Sequence, residues 1–259
     1  MPDIPSFIYN DSMSKKLESR QQKIYEQLLM KETVRVNELS EQYHVSMETI
    51  RKDLNEMENQ GLLVKTHGGA EILQKSSEVS IDYKINTNST AKQEIAHKAL
   101  SFIEDHSVIF LDPGSTTLAL ARLLPLKKDL IVVTNSIKIA SMICEQKHEL
   151  IFLGGKIQKK AKAAAGYFAI NHMDTLHIDT AFMGTDGFKD STGPTTYSFE
   201  EVSVKQHALM QSDHKYLLAD SSKFDSQGTY RFASFKDFDA LITDQKQSDM
   251  VIECKVIQA

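Results

Sequence analysis

Apolar residues near the start of the chain recur at helical spacing. Leu17, Ile24 and Leu28 fall on one face of a helix within 15–30, and Leu39 and Tyr43 on one face of a second, shorter helix. Between them Thr33–Val36 alternates and predicts a short strand, and Asn37 stands where an N-cap is needed. Ser40 is small where two helices approach, and His44–Val45 reads as the turn. Ser46 then caps a third helix that runs to about Gln60 and stops at Gly61. Its buried face is Ile50, Leu54 and Met57, which leaves Met47, Glu48, Arg51, Lys52 and Asn55 outward. Leu62–Val64 predicts a strand, with Gly68–Gly69 as its hairpin turn.

This order is that of a winged helix-turn-helix, with Lys65–Gly69 as a basic wing. A small helical bundle used for dimerisation is the alternative. The turn spacing, the cap and two cations beside a polar residue on the exposed face favour a reader of DNA. The candidate DNA contacts are Ser46, Met47, Glu48, Thr49, Arg51, Lys52, Asn55, Lys65 and His67.

The pattern changes after residue 71. Residues 72–90 are polar with little periodicity and read as a linker between a reader domain, 15–71, and a second domain, 91–259. Beyond the linker, apolar runs alternate with helical stretches. The runs are Val108–Leu111, Leu130–Val133, Leu150–Leu153, Ala181–Met183, Tyr216–Ala219 and Ala240–Thr243. The helical patterns are Lys92–Ile103, Thr116–Leu124, Ile137–Gln146 and Glu200–Gln211. Such alternation predicts an α/β domain with a parallel sheet and crossover helices.

Composition narrows the class. With 259 residues the chain suits about two domains. No window resembles a membrane span, and Met1–Asn10 lacks a signal pattern, so a cytoplasmic protein is expected. Cys144 and Cys254 sit far apart in apolar stretches and read as small buried hydrophobes. No HExxH or Cys/His grouping appears, so neither a metal nor a cofactor is expected. Residues 1–75 hold 10 Lys/Arg against 12 Asp/Glu, so DNA binding requires the cations to share one face. An RNA reader lacks the expected aromatic stacking platform.

Candidate chemistry collects after the strands. Asp112–Thr117, Thr134–Ser136, Gly154–Lys156, Gly184–Gly187 and Asp220–Phe224 each follow an apolar run, and a parallel sheet brings such segments to its carboxyl edge, where ligands bind. Gly114–Thr117 leads into a helix and suits an anion, although an ordinary capped turn has the same look; no Walker A lysine follows. Lys223 adds a cation among Asp220, Ser221 and Ser222. Asp112 and Asp186 read as acceptors for sugar hydroxyls or as turn caps. Together these groups suit a small phosphorylated polyol or sugar.

On these residues the sequence resembles the DeoR/GlpR family of bacterial sugar-metabolism regulators, over roughly 17–245. The first-domain match is Arg20, Ile24, Leu28, Ser46 and Thr49–Leu54, extended by His67–Gly69. In the second it is Lys92, Ile95–Ala96, Asp112, Gly114–Thr117, Thr134–Ser136, Gly154–Gly155, Gly166, Asp186–Gly187, Thr195–Thr196, Glu201 and Asp220–Phe224.

The resemblance implies a sensor domain similar in fold to ribose-5-phosphate isomerase and CoA-transferases, binding a phosphorylated sugar without turnover. It further implies an oligomeric repressor released from operator DNA by that ligand. Carried over, Ser115, Thr116 and Thr117 look like phosphate contacts, and Asp112, Asp186 and Lys223 like polar pocket groups. The full candidate effector set is Asp112, Gly114, Ser115, Thr116, Thr117, Thr134, Asn135, Ser136, Gly155, Lys156, Asp186, Gly187, Glu201 and Lys223. The chain departs from the family after Gly155: Gln158, Lys162 and Ala163 stand where many relatives carry two arginines and a serine. The loop stays basic but loses the planar fork that grips phosphate. The competing reading is an isomerase-like enzyme with an N-terminal assembly domain, for which Asp112, Asp186, Glu201 and Lys223 are candidate bases.

Overall fold

The computed structural model describes residues 19–59, 62–72, 79–245 and 251–259. Leu17, the helix stop at Gly61 and residues 73–78 of the expected linker lie outside them. The chain divides into two compact units, 1–77 and 78–259. Among the described residues no helix is long and apolar enough to cross a membrane.

The first unit holds α1 (Ser19–Lys31), β1 (Thr33–Arg35), α2 (Val36–Tyr43), α3 (Met47–Asn59), β2 (Leu63–Thr66) and β3 (Gly69–Ile72). The strands form an antiparallel sheet in the order β1-β3-β2. Ile24, Leu28, Leu39, Ile50, Leu54, Met57 and Leu63 make its core, each 1% exposed or less. Burying each such side chain is worth about 1.5–3 kcal/mol, so this small unit depends on keeping every one. Arg20 on α1 clamps Asp53 on α3 through two hydrogen bonds, Nε to Oδ2 at 2.5 Å and Nη2 to Oδ1 at 2.9 Å. The turn between α2 and α3 bends through His44 at φ 52°, and Ser40 Oγ donates to the Val45 carbonyl at 2.7 Å. Ser46 Oγ accepts from Thr49 N at 3.1 Å, the expected cap. Asn37, by contrast, lies inside α2, whose N-cap is Arg35. The strand runs straight into the helix because Val36 N–H donates to the Gly68 carbonyl of the wing turn at 2.9 Å.

The second unit is a three-layer α/β domain. Its helices are α4 (Ile81–Asn86), α5 (Ser89–Leu100), α6 (Ser115–Ala121), α7 (Ile137–Ile143), α8 (Tyr167–Met173) and α9 (Phe199–Met210). Its seven-stranded sheet contains β4 (Val108–Leu111), β5 (Ile131–Thr134), β6 (Glu149–Phe152), β9 (Ile178–Gly184), β11 (Ser212–Leu218), β13 (Ala240–Thr243) and β14 (Lys255–Gln258). Two small antiparallel pairs complete it, β7 (Lys156–Gln158) with β8 (Ala163–Ala165) and β10 (Thr195–Thr196) with β12 (Tyr230–Arg231).

The sheet order is β14-β13-β11-β9-β4-β5-β6, with every pairing parallel. The chain therefore grows outward from β4 to β6, then returns to the other side of β4 and grows outward again. That reversal is the switch point where α/β sheets bind ligands. Alternation along the central strands feeds two cores. Phe110, Val133, Ala181, Met183, Leu217 and Leu241 face α8 and α9. Ile109, Leu111, Val132, Phe182, Leu218 and Ile242 face α5, α6 and α7.

Two expectations change. Part of the expected linker is helical: α4 forms at 81–86 and α5 begins at Ser89, because Ile81 is buried and polar side chains of this stretch find partners in the second unit. The cysteines are free but not buried as expected, Cys144 being exposed and Cys254 half-buried. In α7 Ile139 and Ile143 occupy the sheet-facing row, and Cys144, a residue further round, turns to solvent.

Gly69 allows β3 to close against β1, where it pairs with Arg35. A Cβ there would stand 2.0 Å from the Val34 carbonyl oxygen, a backbone atom with no room to yield. Gly69→Ala is expected to destabilise the first unit by about 2 kcal/mol or more, which differential scanning calorimetry would show as a lowered melting transition. An unchanged transition would contradict the close approach.

Candidate functional site

Two regions hold the candidate groups, one in each unit. In the first, Met47, Glu48, Arg51, Lys52 and Asn55 are all exposed on α3, as its periodicity predicts, while Asp53 turns inward to Arg20. Ser46 is exposed at the cap and Thr49 half-buried behind it. Arg51 Nη1 stands 3.3 Å from Glu48 Oε2, one turn earlier. The wing is tied to the same helix: Lys65 N–H donates to Glu58 Oε1 at 2.8 Å, and its ammonium donates to Asn55 Oδ1. His67 is exposed in the hairpin turn before Gly68. A cleft between the start of α2, the start of α3 and the wing turn is lined by Arg35, Asn37, Met47, Arg51 and His67. Arg35 is the cation the sequence reading missed; its place at a strand end just before the helix pair was the available signal.

In the second unit a pocket opens at the carboxyl ends of β4 and β9. Asp112 follows β4, and its Oδ2 accepts hydrogen bonds from Gly184 N–H at 2.9 Å and from the Lys205 ammonium of α9. Lys205 also reaches the Gly184 carbonyl at 3.3 Å and stands 4.8 Å above the Phe232 ring. Asp186 follows β9; Lys84 of α4 donates to its Oδ1 at 2.5 Å, and Tyr197 N–H to its Oδ2 at 3.1 Å. Glu201 on α9 accepts from Thr196 Oγ1 at 2.8 Å. Lys223 projects from the short turn Ser221–Phe224 after β11.

Of the expected residues, Asp112, Gly114, Ser115, Thr116, Asp186, Glu201 and Lys223 line this pocket. The others build its frame. Thr117 is fully buried, its hydroxyl donating to the Asp112 carbonyl at 2.5 Å and accepting from Gly114 N–H at 2.9 Å. Thr134 donates to the Leu111 carbonyl at 2.7 Å, Asn135 to the Ala164 carbonyl at 2.8 Å, and Ser136 caps α7. Gly155 and Lys156 belong to the β7 hairpin, where exposed Lys156 lies 3.7 Å from Glu200. Gly187 is buried at φ 150°, and a Cβ there would meet the Ser226 carbonyl oxygen at 2.0 Å. Hydroxyls and glycines at a sheet edge serve backbone closure as readily as a ligand, so residue type alone does not separate the two groups.

The pocket lining also includes Thr185 and Thr196, from segments already singled out in the sequence, and two residues that the sequence reading does not reach, Lys84 and Lys205. Lys205 stands four residues after Glu201 on one helix, a spacing that places both on one face. Lys84 came from a stretch without periodicity and gave no signal. In the loop that departs from the family pattern, Lys162 pairs with Asp82 of α4 at 2.6 Å, and Lys138 with the other oxygen at 2.8 Å.

Two polar groups of the lining make no hydrogen bond among the described residues. Asp112 Oδ1 is buried with no hydrogen bond, and among the described residues the Lys223 ammonium makes none and no ion pair. Burial pushes Glu201 from its ordinary 4.5 up to about 7; Lys205 opposes this, while Asp186 and Asp112 add to it. Burial would raise Asp186 too, but Lys84, by charge and hydrogen bond, then Lys223 and Lys205, hold it below the usual carboxylate range. Burial lowers Lys223, with Asp220 and Asp186 opposing. When Glu201 carries its proton, the lining holds three lysines, Lys84, Lys205 and Lys223, against two other carboxyl groups, Asp112 and Asp186, a balance that suits an anion.

At the opposite edge of the sheet, His177, Asp179 and Asp213 place ligand atoms within 4.8 Å of one another. His177 pairs with Asp213 at 3.1 Å and Asp179 accepts from Val108 N–H at 2.7 Å, which accounts for the grouping without an ion.

Comparison with known proteins fits both regions. Residues 20–76 match the model of the DeoR-like helix-turn-helix domain, and residues 87–245 that of the DeoR C terminal sensor domain. An uncharacterized HTH-type transcriptional regulator of Bacillus subtilis, YulB, is 35% identical over 227 residues, 87% of this chain and 88% of the relative. The lactose phosphotransferase system repressor of Lactococcus lactis is 32% identical over 239 residues, 90% of this chain and 93% of the relative. Among solved structures, ribose 5-phosphate isomerase A from Methanocaldococcus jannaschii shares 19% identity at a TM-score of 0.40, covering 53% of this chain and 55% of that one.

The Glu201 shift sets a pH window. Below pH 4.5 folded and unfolded chains both hold this proton; as pH rises toward 7 the unfolded chain gives it up while the folded chain keeps it, so stability falls. Above 7 the full penalty of the buried carboxylate is present. Glu201→Gln keeps an acceptor for Thr196 and should remove this loss, on the order of 2–4 kcal/mol. Melting curves of both proteins across pH 4.5–8 should converge at the acid end and separate above 7; parallel curves would contradict the assignment.

Proposed function

The chain belongs to the DeoR family of helix-turn-helix transcriptional regulators, and from that premise we propose that it represses a sugar or polyol catabolic operon and is released from its operator by a phosphorylated sugar. The observation that carries the effector class is the pair of groups in one pocket that make no hydrogen bond among the described residues, Asp112 Oδ1 and the Lys223 ammonium. A buried carboxylate oxygen without a donor is costly, and a ligand hydroxyl relieves it. An ammonium with no hydrogen-bond acceptor of its own takes an anion. A phosphorylated polyol offers both on one small molecule. The first turn of α6, opening at Ser115 and Thr116, adds backbone N–H groups that have no intrahelical acceptor.

Operator contacts fall to α3 and the wing. Arg51 has the reach and fork for a guanine edge, Lys52 neutralises phosphate, and Ser46, Met47, Glu48, Asn55, Lys65 and His67 add further exposed groups on the helix and wing, with Thr49 half-buried behind Ser46. One such helix reads only a few base pairs, so the chain acts as a homo-oligomer, two readers facing a palindrome of double-stranded DNA in the cytoplasm. The sensor binds its ligand without turning it over, and no cofactor takes part; the relatives are named as transcriptional regulators.

In a gel-shift assay on a duplex selected by the full-length chain, Arg51→Ala with Lys52→Ala is expected to abolish specific binding, since a bidentate base contact alone is worth about 1–3 kcal/mol. The single Lys52→Ala should instead weaken binding across sequences and flatten its salt dependence. Wild-type affinity in the double variant would overturn the assignment.

A thermal-shift screen tests the sensor. A sugar phosphate at 100 times its dissociation constant should stabilise the native protein by about 2.7 kcal/mol, and the unphosphorylated sugar by much less. Equal shifts from both would remove the role given to Lys223.

A further inference from the structure

The first helix of the second unit, α4, is built into the pocket wall. Eight residues, 73–80, separate the end of β3 from the start of α4. Ile81 lines the pocket, and its N–H donates to the Lys160 carbonyl at 2.9 Å. Asp82 is held by Lys138 and Lys162. Lys84 lines the pocket and pairs with Asp186 at 2.5 Å, with side chains only 24% and 12% exposed. Two residues beyond α4, Asn88 donates to Asp220 Oδ1 at 2.9 Å. Asp82, Lys84 and Asn88 are thus all spent on groups at or beside the pocket, and one of them is a lysine whose carboxylate partner is itself a lining residue.

We propose that Lys84 is an effector-contacting residue that couples the pocket to the DNA reader: a bound ligand competes for the Lys84–Asp186 ion pair and so resets α4, the element through which the chain passes to the wing. This rests on the effector reading above. A ligand shifts a conformational equilibrium only through interactions that differ between the two states. Most lining groups, such as Asp112 and Lys205, belong to the sheet and to α9 and report only that the pocket is filled. Lys84 is the charged lining group that sits on the connection itself. A ligand anion takes the ammonium and a ligand hydroxyl takes Asp186, so the buried pair is separated with neither half left uncompensated. A phosphorylated polyol does both; inorganic phosphate or a neutral sugar does one.

The first arm of the test needs no ligand. Full-length wild type, Lys84→Gln, Lys84→Arg and Lys156→Gln are titrated onto the selected duplex, with circular dichroism to verify folding. Lys84→Gln is expected to bind more weakly by about fivefold or more, the lower range of measured couplings, because the tether that holds the DNA-competent state is gone. Lys84→Arg, which keeps the pair, should bind within twofold of wild type, as should Lys156→Gln, whose partner Glu200 lies outside the pocket lining. Unchanged or tighter binding by Lys84→Gln, or weakening as large in Lys156→Gln, overturns the proposal.

The second arm uses D-fructose 1-phosphate, D-fructose 6-phosphate, D-glucose 6-phosphate and glycerol 3-phosphate as probes, with inorganic phosphate and D-fructose as controls. A probe that heats the melting transition and releases DNA from wild type should release Lys84→Gln at least fivefold less, the same coupling read from the ligand side. Full release from Lys84→Gln overturns the proposal. If no probe acts on wild type, the effector reading falls, while the first arm still decides whether Lys84 couples to the reader.

Discussion

The carboxylate of Asp112 stands where the sheet reverses direction, and the arrangement of the sensor unit depends on how its two oxygens are used. Oδ2 closes the gap between β4 and β9 through the Gly184 N–H and anchors Lys205 of α9, so two strands and a helix meet on one atom. Oδ1 is left in the pocket without a donor. A buried charge must be paired, and a half-satisfied carboxylate is an unstable compromise unless something completes it. The same division recurs nearby. Asp186 gives one oxygen to Lys84 and the other to the Tyr197 backbone. Asp220 is held by Asn88 and Ser222 on one side, and its other oxygen lies 3.3 Å from Lys92. Carboxylates here hold the strand ends together and present chemistry at once.

This double duty explains what the sequence revealed. The apolar periodicities located the helices of the reader and six of the seven sheet strands, because burial leaves a period that survives local irregularity. β14 escaped notice, and α8 likewise, whose exposed Tyr167 and Phe168 break the amphipathic pattern. The carboxyl edge was placed correctly as a whole, yet residues there could not be sorted one by one. Thr117, Thr134 and Ser136 have the same hydroxyls as Ser115 and Thr116, and only the fold decides which face inward to backbone and which face the pocket. Lys84 lay in a stretch read as linker; its ion pair spans 102 positions, and no local pattern encodes a contact of that range.

The reader shows the complementary case. Its acidic balance argued against DNA, but part of the acid is spent internally. Asp53 is consumed by Arg20, and Glu58 by the Lys65 backbone. Arg35, Arg51, Lys52, Lys65 and His67 remain exposed among the cleft, helix and wing. Charge totals count residues that never meet the solvent, whereas phosphate responds to those that do.

The outer strand β14 carries a consequence for anyone who divides this protein. It pairs with β13 over four residues, Ala240 to Thr243 against Lys255 to Gln258, and the Ala259 N–H adds a bond to the Thr243 carbonyl. The strand lies beyond residue 245, where the match to the sensor family ends. A fragment trimmed to that match would keep Ala240–Thr243 but strip away its neighbour. Four wholly buried residues would then border solvent along an unpaired row of amide and carbonyl groups, a template for association between fragments. Oligomers seen with such a fragment would report an exposed strand edge and nothing about the intact chain.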